Sequence, residues 1–280
     1  MLIDLHTHTA FSPDSDEKME NMIARAIELD LDAYAITDHC EADRFFSREN
    51  YSRPQSDYEF DIYDYNKVYE ASLCAVTKAK EKYEHFNLLC GIEWGQALYD
   101  EKATQIMQND KRLDFVIGSL HELENMPDFA FINYKEFDID NLLYKYFTEI
   151  YRLCQKPVFD SLGHLTYTLR YIEGNQGIKV DMSKYDEIIS QAFKSLSING
   201  KAMEINTSGL RQSYGKTFPT LKYIKLFKEM GGEIITIGSD SHQACDIGMG
   251  IKQGMELAKA AGFKYCAYFK QRKPYFLKID

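Results

Sequence analysis

Near its start the chain reads Leu2-Ile3-Asp4-Leu5-His6-Thr7-His8, a short apolar run that ends in two histidines. The run has the length of a strand, and the amphipathic segment Asp16–Leu29 that follows it has helical spacing. A short apolar run followed by an amphipathic run occurs seven times along the 280 residues. Repeated strand–helix alternation predicts an α/β fold with a parallel sheet.

The remaining elements extend this pattern along the chain. The predicted strands are Leu2–His8, Ala33–His39, Asn87–Trp94, Phe115–His121, Val158–Leu165, Lys201–Asn206 and Glu233–Asp240. The predicted helices are Asp16–Leu29, Tyr65–Tyr83, Thr104–Asn109, Ile139–Gln155, Lys184–Asn199, Pro219–Met230 and Cys245–Ala261. Seven strands in this length favour a seven-stranded (β/α) barrel over an open sheet. We expect one domain over residues 1–280, with Tyr265–Ile279 as a final strand packed on the barrel.

Composition excludes several classes of protein. Hydrophobic residues make up 45% and charged residues 27% of the chain, as in soluble globular proteins. The net charge is −10 and no Lys/Arg block occurs, which disfavours nucleic acid and anionic membranes as partners. No apolar run has the length of a membrane span, and no secretion signal is visible at the start. The six scattered cysteines suit reduced thiols, so we expect a cytoplasmic protein.

Six of the seven histidines lie at or beside the end of a predicted strand: His6, His8, His39, His121, His164 and His242. The carboxyl ends of barrel strands meet at one rim, so these side chains are expected to share a pocket. The seventh, His85, falls in a helix-to-strand turn and is predicted to be a surface residue.

Acidic residues follow the same rule, with Asp4, Asp38, Glu93 and Asp240 near strand ends. A strand has a side-chain period of two, so His-x-His and Asp-x-His place both side chains on one face. Imidazole with carboxylate suits Zn²⁺, Mn²⁺ or Fe²⁺. Cysteine is absent from these groups, which argues against a structural zinc-finger site.

Each piece alone has a structural explanation. A lone His-x-His is a weak signal. Asp38 and His39 could form a hydrogen bond that caps a strand end. Glu93 could be a solvated acid at a strand end, and His164 could be a core histidine bonded to a backbone carbonyl. Together, however, these strand ends predict a multinuclear metal site.

The motifs resemble those of the PHP family, named for its polymerase and histidinol-phosphatase members. They occur in the family's order and span nearly the whole chain: Asp4-Leu5-His6-Thr7-His8-Thr9, Thr37-Asp38-His39, Gly91-Ile92-Glu93, Gly118-Ser119-Leu120-His121, Gly163-His164-Leu165 and Gly238-Ser239-Asp240-Ser241-His242. The length and the Gly-Ser-Leu-His segment are most similar to the stand-alone histidinol-phosphate phosphatases. The resemblance implies a distorted seven-stranded barrel with three metal ions on its C-terminal rim.

The resemblance also implies a ligand set for two to three divalent ions, Zn, Mn or Fe. The first ion takes His6, His8, Glu93 and Asp240; the second takes His121 and His164 with Glu93 as a bridge; the third takes His39, His242 and Asp14. Asp14 stands where several relatives have a histidine, and its alternative is a plain turn residue after Pro13. Asp4 and Asp38 are expected to support the ligands without binding the metal ions themselves.

Phosphate binding calls for positive side chains beside the metals, and arginine offers a planar two-pronged donor. Arg170 and Arg211 follow the fifth and sixth predicted strands, in loops where phosphatase members place basic residues. Arg44, Arg48 and Arg53, in the long loop Glu41–Asp64, are alternatives.

These parts predict hydrolysis of L-histidinol phosphate to L-histidinol and phosphate, a step of histidine biosynthesis. A hydroxide held by two metals at Glu93 would attack phosphorus in line. Asp240 or His242 would pass a proton to the leaving alkoxide. The Tyr- and Phe-rich loops and the net negative charge suit a cationic leaving group.

Three alternatives remain at this level. One is hydrolysis of another phosphomonoester, a nucleotide or a phosphodiester by the same barrel, and another is a non-catalytic metal-binding PHP module. An amidohydrolase-type barrel also begins with His-x-His, but it typically bridges its metals with a lysine where this chain has Glu93. The sequence does not determine the oligomeric state or the native metal.

Overall fold

A sheet of parallel strands forms the centre of the computed structural model, which describes residues 2–46 and 64–279. Its strands are β1 Ile3–Asp4, β2 Ala33–Ile36, β3 His39–Glu41, β4 Leu88–Gly95, β5 Phe115–Ser119, β6 Ser161–Leu162, β7 Ala202–Asn206 and β8 Ile235–Gly238. They pair in the order β1-β2-β4-β5-β6-β7-β8, and β3 continues the line of β2 along β4. The sheet therefore has seven strand positions, as predicted.

The two ends of the sheet meet through backbone hydrogen bonds. The Leu5 amide donates to the Ile237 carbonyl at 3.1 Å, and the Asp240 amide donates to the His6 carbonyl at 2.7 Å. Thr7 and Ser241 form an isolated parallel bridge beyond these bonds. The strands therefore form a nearly closed barrel, which confirms the predicted fold class and brings the carboxyl ends of β1 and β8 side by side.

Seven α-helices surround the barrel in the described residues: α1 Met19–Glu28, α2 Tyr65–Lys82, α3 Glu101–Asn109, α4 Ile139–Gln155, α5 Asp186–Ile198, α6 Leu221–Glu229 and α7 Ile251–Ala260. Three of them begin at an aspartate cap, where Asp64, Asp100 and Asp138 accept backbone N–H groups of the first turn. Such caps satisfy donors that the helix itself leaves unpaired. No helix in this part of the chain is both long and apolar enough to cross a membrane.

Several predicted boundaries were wrong. The strand predicted over Val158–Leu165 spans only Ser161–Leu162, since the His164 amide donates to the Glu204 carboxylate at 2.9 Å instead of extending the ladder. The strand predicted over Leu2–His8 is likewise reduced to Ile3–Asp4.

Helix starts differed for local reasons. The third predicted helix begins at Glu101 because Asp100 caps it. Pro219 does not start the sixth helix: the Phe218–Pro219 peptide is cis and Thr220 is the cap of Leu221–Glu229. The seventh begins at Ile251, after Gly250 with a φ of 77° that glycine adopts readily.

The C-terminal segment is a hairpin and not the single strand predicted. It consists of β9 Tyr265–Lys270 and β10 Lys273–Lys278, antiparallel around Gln271 and Arg272, which both have positive φ. Arg272 forms an ion pair with Asp160 and donates to the Val158 carbonyl at 2.9 Å. Because Asp160 directly precedes β6, the hairpin packs against the amino-terminal end of the barrel, opposite the histidines. All six cysteines, which lie within the described ranges, are free thiols.

This contact predicts a stability effect. We expect Arg272→Ala to lower the free energy of unfolding by about 2–4 kcal/mol, because Asp160, whose side chain is 3% exposed, would lose a close cationic partner. Chemical denaturation followed by circular dichroism measures the change. The control is Arg25→Ala, which removes an exposed pair with Glu28 and should cost less than about 1 kcal/mol. Equal losses in the two variants would contradict the assignment.

Candidate metal centre

One oxygen of Glu93 faces three imidazoles at the carboxyl-terminal rim. Its Oε2 lies 3.1 Å from His6 Nε2, 3.5 Å from His8 Nε2 and 3.0 Å from His39 Nδ1. Glu93 is 1% exposed and lies near the end of β4, where the strand direction points its side chain into the barrel mouth. His6 and His8 come from just beyond β1, on the same face of the chain.

The other oxygen of Glu93 faces a second pair of imidazoles. Its Oε1 lies 3.0 Å from His121 Nε2 and 2.6 Å from His164 Nε2. The Ser119 hydroxyl donates to the same oxygen at 2.5 Å. One carboxylate thus has imidazoles on both of its oxygens, which is the arrangement required of a ligand shared between two metal ions.

A third group lies at the outer side of the first. Asp14 Oδ2 is 3.5 Å from His39 Nε2 and 3.0 Å from His242 Nε2. Asp240 Oδ1 is 3.3 Å from His8 Nε2. The structure therefore brings all nine side chains of the predicted ligand set into one continuous cluster, Asp14 included.

The donor atoms of this cluster suit a metal ion. The buried atoms without a hydrogen-bond partner in the described residues include four from the predicted ligand set: His6 Nε2, His8 Nε2, His39 Nδ1 and Glu93 Oε2. Burying polar atoms without a partner is costly, and a cation would satisfy all four. Four groups in this part of the chain have ligand atoms within 4.8 Å of one another: His8, His39 and His242; His6, His8 and Glu93; His39, Glu41 and His121; Glu93, His121 and His164.

Two carboxylates that the sequence reasoning missed orient the imidazoles. His6 Nδ1 donates to Glu204 Oε1 at 2.7 Å, and His121 Nδ1 donates to Glu41 Oε1 at 3.0 Å. A carboxylate only accepts here, so each ring keeps its proton on Nδ1 and presents Nε2 to the centre. The available signal was positional: Glu204 is an acid inside the apolar strand β7, and Glu41 lies two residues after His39.

Asp4 and Asp38 act through intermediaries and do not touch the ligand side chains. Asp4 accepts from the Ser239 amide at 2.8 Å and from its hydroxyl at 2.5 Å, which holds the chain just before Asp240. Asp38 accepts from the Ser12 hydroxyl at 3.0 Å, and Ser12 Oγ in turn lies 3.1 Å from His8 Nδ1.

The end of β8 and the turn after it contain a tightly packed glycine and an aspartate with a positive φ. A Cβ at Gly238 would lie 2.3 Å from His6 Cβ and 2.7 Å from Glu204 Oε1, so only glycine fits there. Asp240 has a φ of 55°, a region that costs energy for residues other than glycine. Arg211 secures this turn by donating to the Ser239 carbonyl at 2.6 Å and the Asp240 carbonyl at 2.7 Å.

Both predicted arginines lie beside the cluster. Arg170 donates to Asp240 Oδ2 at 3.2 Å and to the Ser208 hydroxyl at 2.9 Å. Arg170 and Arg211 border a hollow of about 500 Å³ that Asp240 and His242 also line.

The other basic candidates differ. Arg44 forms a buried ion pair with Glu122, and Arg48 and Arg53 lie outside the described residues. His85 has a side chain that is 96% exposed, so its prediction as a surface residue is confirmed.

Burial and neighbouring charges shift the pKa values of the groups in the cluster in different directions. Burial tends to raise the pKa of Glu93, but the imidazoles of His6 and His121 hold it well below its usual value. Burial and the neighbouring His242 lower the pKa of His8 to about 3. Burial tends to lower the pKa values of His6, His39, His121 and His242, but neighbouring carboxylates raise them above the ordinary value. Because metal ions bind neutral imidazole, metal binding at these rings would release protons.

Residues 4–208 match the family model described as "PHP domain". The chain belongs to the PHP domain family. Two PHP relatives are a "Histidinol-phosphatase" of Lactococcus lactis, 29% identical over 97% of this chain and 95% of its own, and a "Probable histidinol-phosphatase" of Thermotoga maritima, 27% identical over 95% of each.

The PHP fold is also found among solved structures. A crystal structure of histidinol phosphate phosphatase from Lactococcus lactis, complexed with zinc, L-histidinol and phosphate, aligns with a TM-score of 0.77 at 24% identity. The alignment covers 98% of each chain. At this identity the likeness is one of fold.

The Glu204 contact predicts a change in metal affinity. Glu204→Gln should weaken metal binding by about 10- to 100-fold, because a neutral amide oxygen accepts the His6 Nδ1 proton less strongly than the carboxylate does. Competition against a chelator measures this affinity without any substrate. Glu233→Gln, an exposed acid ahead of β8, serves as the control and should bind metal normally. Unchanged affinity in Glu204→Gln would show that His6 needs no such support.

Proposed function

We propose that this PHP protein is a metal-dependent phosphomonoesterase that hydrolyses L-histidinol phosphate to L-histidinol and phosphate, with residues 1–280 acting as one domain. The observation that carries the proposal is the Glu93 carboxylate between two sets of imidazoles, with Arg170 beside Asp240 at its edge. The names of its relatives support this substrate.

The cluster is proposed to hold two to three divalent ions, Zn, Mn or Fe. His6, His8, Glu93 and Asp240 form the first ligand set; Glu93, His121 and His164 form the second; Asp14, His39 and His242 form the third. When bound, such ions polarise a phosphoryl oxygen and lower the pKa of water toward neutrality. The role of the protein is to keep these ligands oriented. Glu204 and Glu41 do this by accepting hydrogen bonds from Nδ1 of His6 and His121.

Phosphate is proposed to bind in the hollow beside the cluster, with Arg170 and Arg211 donating to its free oxygens. Arg170 already points one nitrogen at Asp240 and Ser208, so it lies at the boundary between cluster and hollow. Arg211 also uses donors on the backbone at Asp240, so it has a second role in positioning that ligand.

Departure of the alcohol requires a proton on its oxygen. Asp240 and His242 both border the hollow, and we assign proton transfer to one of these two side chains. His242 Nδ1 lies 3.1 Å from the Asp240 carbonyl oxygen, which fixes its ring at the edge of the cluster.

The substrate is tested by measuring phosphate release. The purified protein, loaded in turn with Zn²⁺, Mn²⁺ and Fe²⁺, is assayed on L-histidinol phosphate, nucleoside monophosphates and phosphodiesters. We expect the highest kcat/KM on histidinol phosphate. Brisk cleavage of a diester or nucleotide without release from histidinol phosphate would overturn the substrate and leave the metal centre standing.

The bridging role of Glu93 gives a sharper expectation. Glu93→Ala should lose bound metal by elemental analysis and lose activity by several orders of magnitude, while circular dichroism stays close to that of the wild type. Asp14→Ala should lose less, because Asp14 belongs to one ligand set only. Near-normal turnover with normal metal content in Glu93→Ala would contradict the bridge.

The role of Arg170 predicts a uniform loss across substrates. Arg170→Ala removes a charge-assisted bond to phosphate, so kcat/KM should fall roughly 10- to 150-fold for every phosphomonoester tested. Steady-state kinetics on histidinol phosphate and p-nitrophenyl phosphate provide the comparison. Arg152→Ala, on the exposed side of α4, is the matched control. A loss confined to one ester would show that Arg170 does not read the phosphate.

A further inference from the structure

Asp128 is an acid of the cleft that the metal cluster does not use. It lies between β5 and α4, is partly exposed, and lines the cleft together with Glu41, His121 and Tyr167. It belongs to none of the four close ligand groups found in the described residues.

The contacts of Asp128 leave one oxygen available. Its Oδ1 accepts from the Ala130 amide at 2.7 Å and from the Tyr167 hydroxyl at 3.3 Å. Within residues 2–46 and 64–279, no Lys or Arg side chain makes an ion pair with Asp128. His121 and Arg44 attract Asp128 electrostatically without an ion-pair contact. A partly buried carboxylate that lacks a direct cationic contact favours a positively charged ligand.

Tyr167 separates this acid from the proposed phosphate end of the cleft. The Arg170 guanidinium lies over its ring, 5.3 Å from the centroid, while its hydroxyl points to Asp128. The hydroxyl also lies 2.9 Å from that of Tyr171. One aromatic ring therefore has a cationic side chain over its face and an anionic one at its hydroxyl end.

This polarity matches a small molecule with a phosphate and an ammonium a few bonds apart. We propose that Asp128 Oδ2 accepts a charge-assisted hydrogen bond from the substrate ammonium and is a specificity-determining residue. The inference rests on the proposed function, since L-histidinol phosphate carries its amine on the carbon next to the phosphorylated CH₂ group. An ammonium there would lie toward Asp128 when the phosphate lies toward Arg170.

The test compares two substrates that differ only in the amine: L-histidinol phosphate and 3-(imidazol-4-yl)propyl phosphate. Asp128→Asn keeps the shape of the side chain and an oxygen for the Ala130 and Tyr167 donors. We expect its kcat/KM on histidinol phosphate to fall roughly 10- to 150-fold, mainly through KM. On the amine-free ester and on p-nitrophenyl phosphate, kcat/KM should stay within about twofold, and metal content should be unchanged.

Glu124→Gln, an exposed acid of the same loop, is the control and should behave as the wild type on all three esters. An equal loss on both matched esters, or no loss on either, would overturn the role of Asp128 while the proposed function stands. A wild-type enzyme inactive on histidinol phosphate would overturn the proposed function and this inference together, and that result is visible before any variant is compared.

Discussion

Five imidazoles face the two oxygens of one buried carboxylate, Glu93, and this concentration of ligating groups constrains the whole carboxyl-terminal rim. The electrostatic cost of assembling such groups away from water is large unless a cation shares their lone pairs. The rim therefore lowers the stability of the fold locally, because its buried polar groups lose their contacts with water. The barrel beneath it, with its continuous apolar core, supplies the stability that holds these side chains in position.

Closure of the barrel and construction of the site use the same residues. The strands that meet are β1 and β8, and the segments just beyond them carry His6, His8 and Asp240. Glu204, from neighbouring β7, reaches the first of these histidines and also takes the amide that ends β6. A side chain at Gly238 would collide with both His6 and Glu204, so a substitution at this seam would disturb the site and the strand pairing together.

The loops add charge polarity to this rigid frame. Arg170 begins a π-helical turn after β6, and Asp128 lies in the loop after β5, so each comes from an element that the strands do not constrain. Tyr167 packs against the imidazoles of His121 and His164 and links the two loops. Under the proposed function, such loop residues are where a preference for one substrate would arise.

The sequence by itself determined the strand–helix order, the location of the candidate ligands at strand ends and the family, because strand period and parallel polarity are properties of short segments. It did not reveal that Glu204 and Glu41 orient the imidazoles, that Arg211 holds the backbone of Asp240, or that the last residues form a hairpin at the opposite end. Those features depend on distances between segments far apart in the chain, which the stagger of the strands and the packing of the loops set. Local patterns carry no information about such distances, so only the tertiary structure decided them.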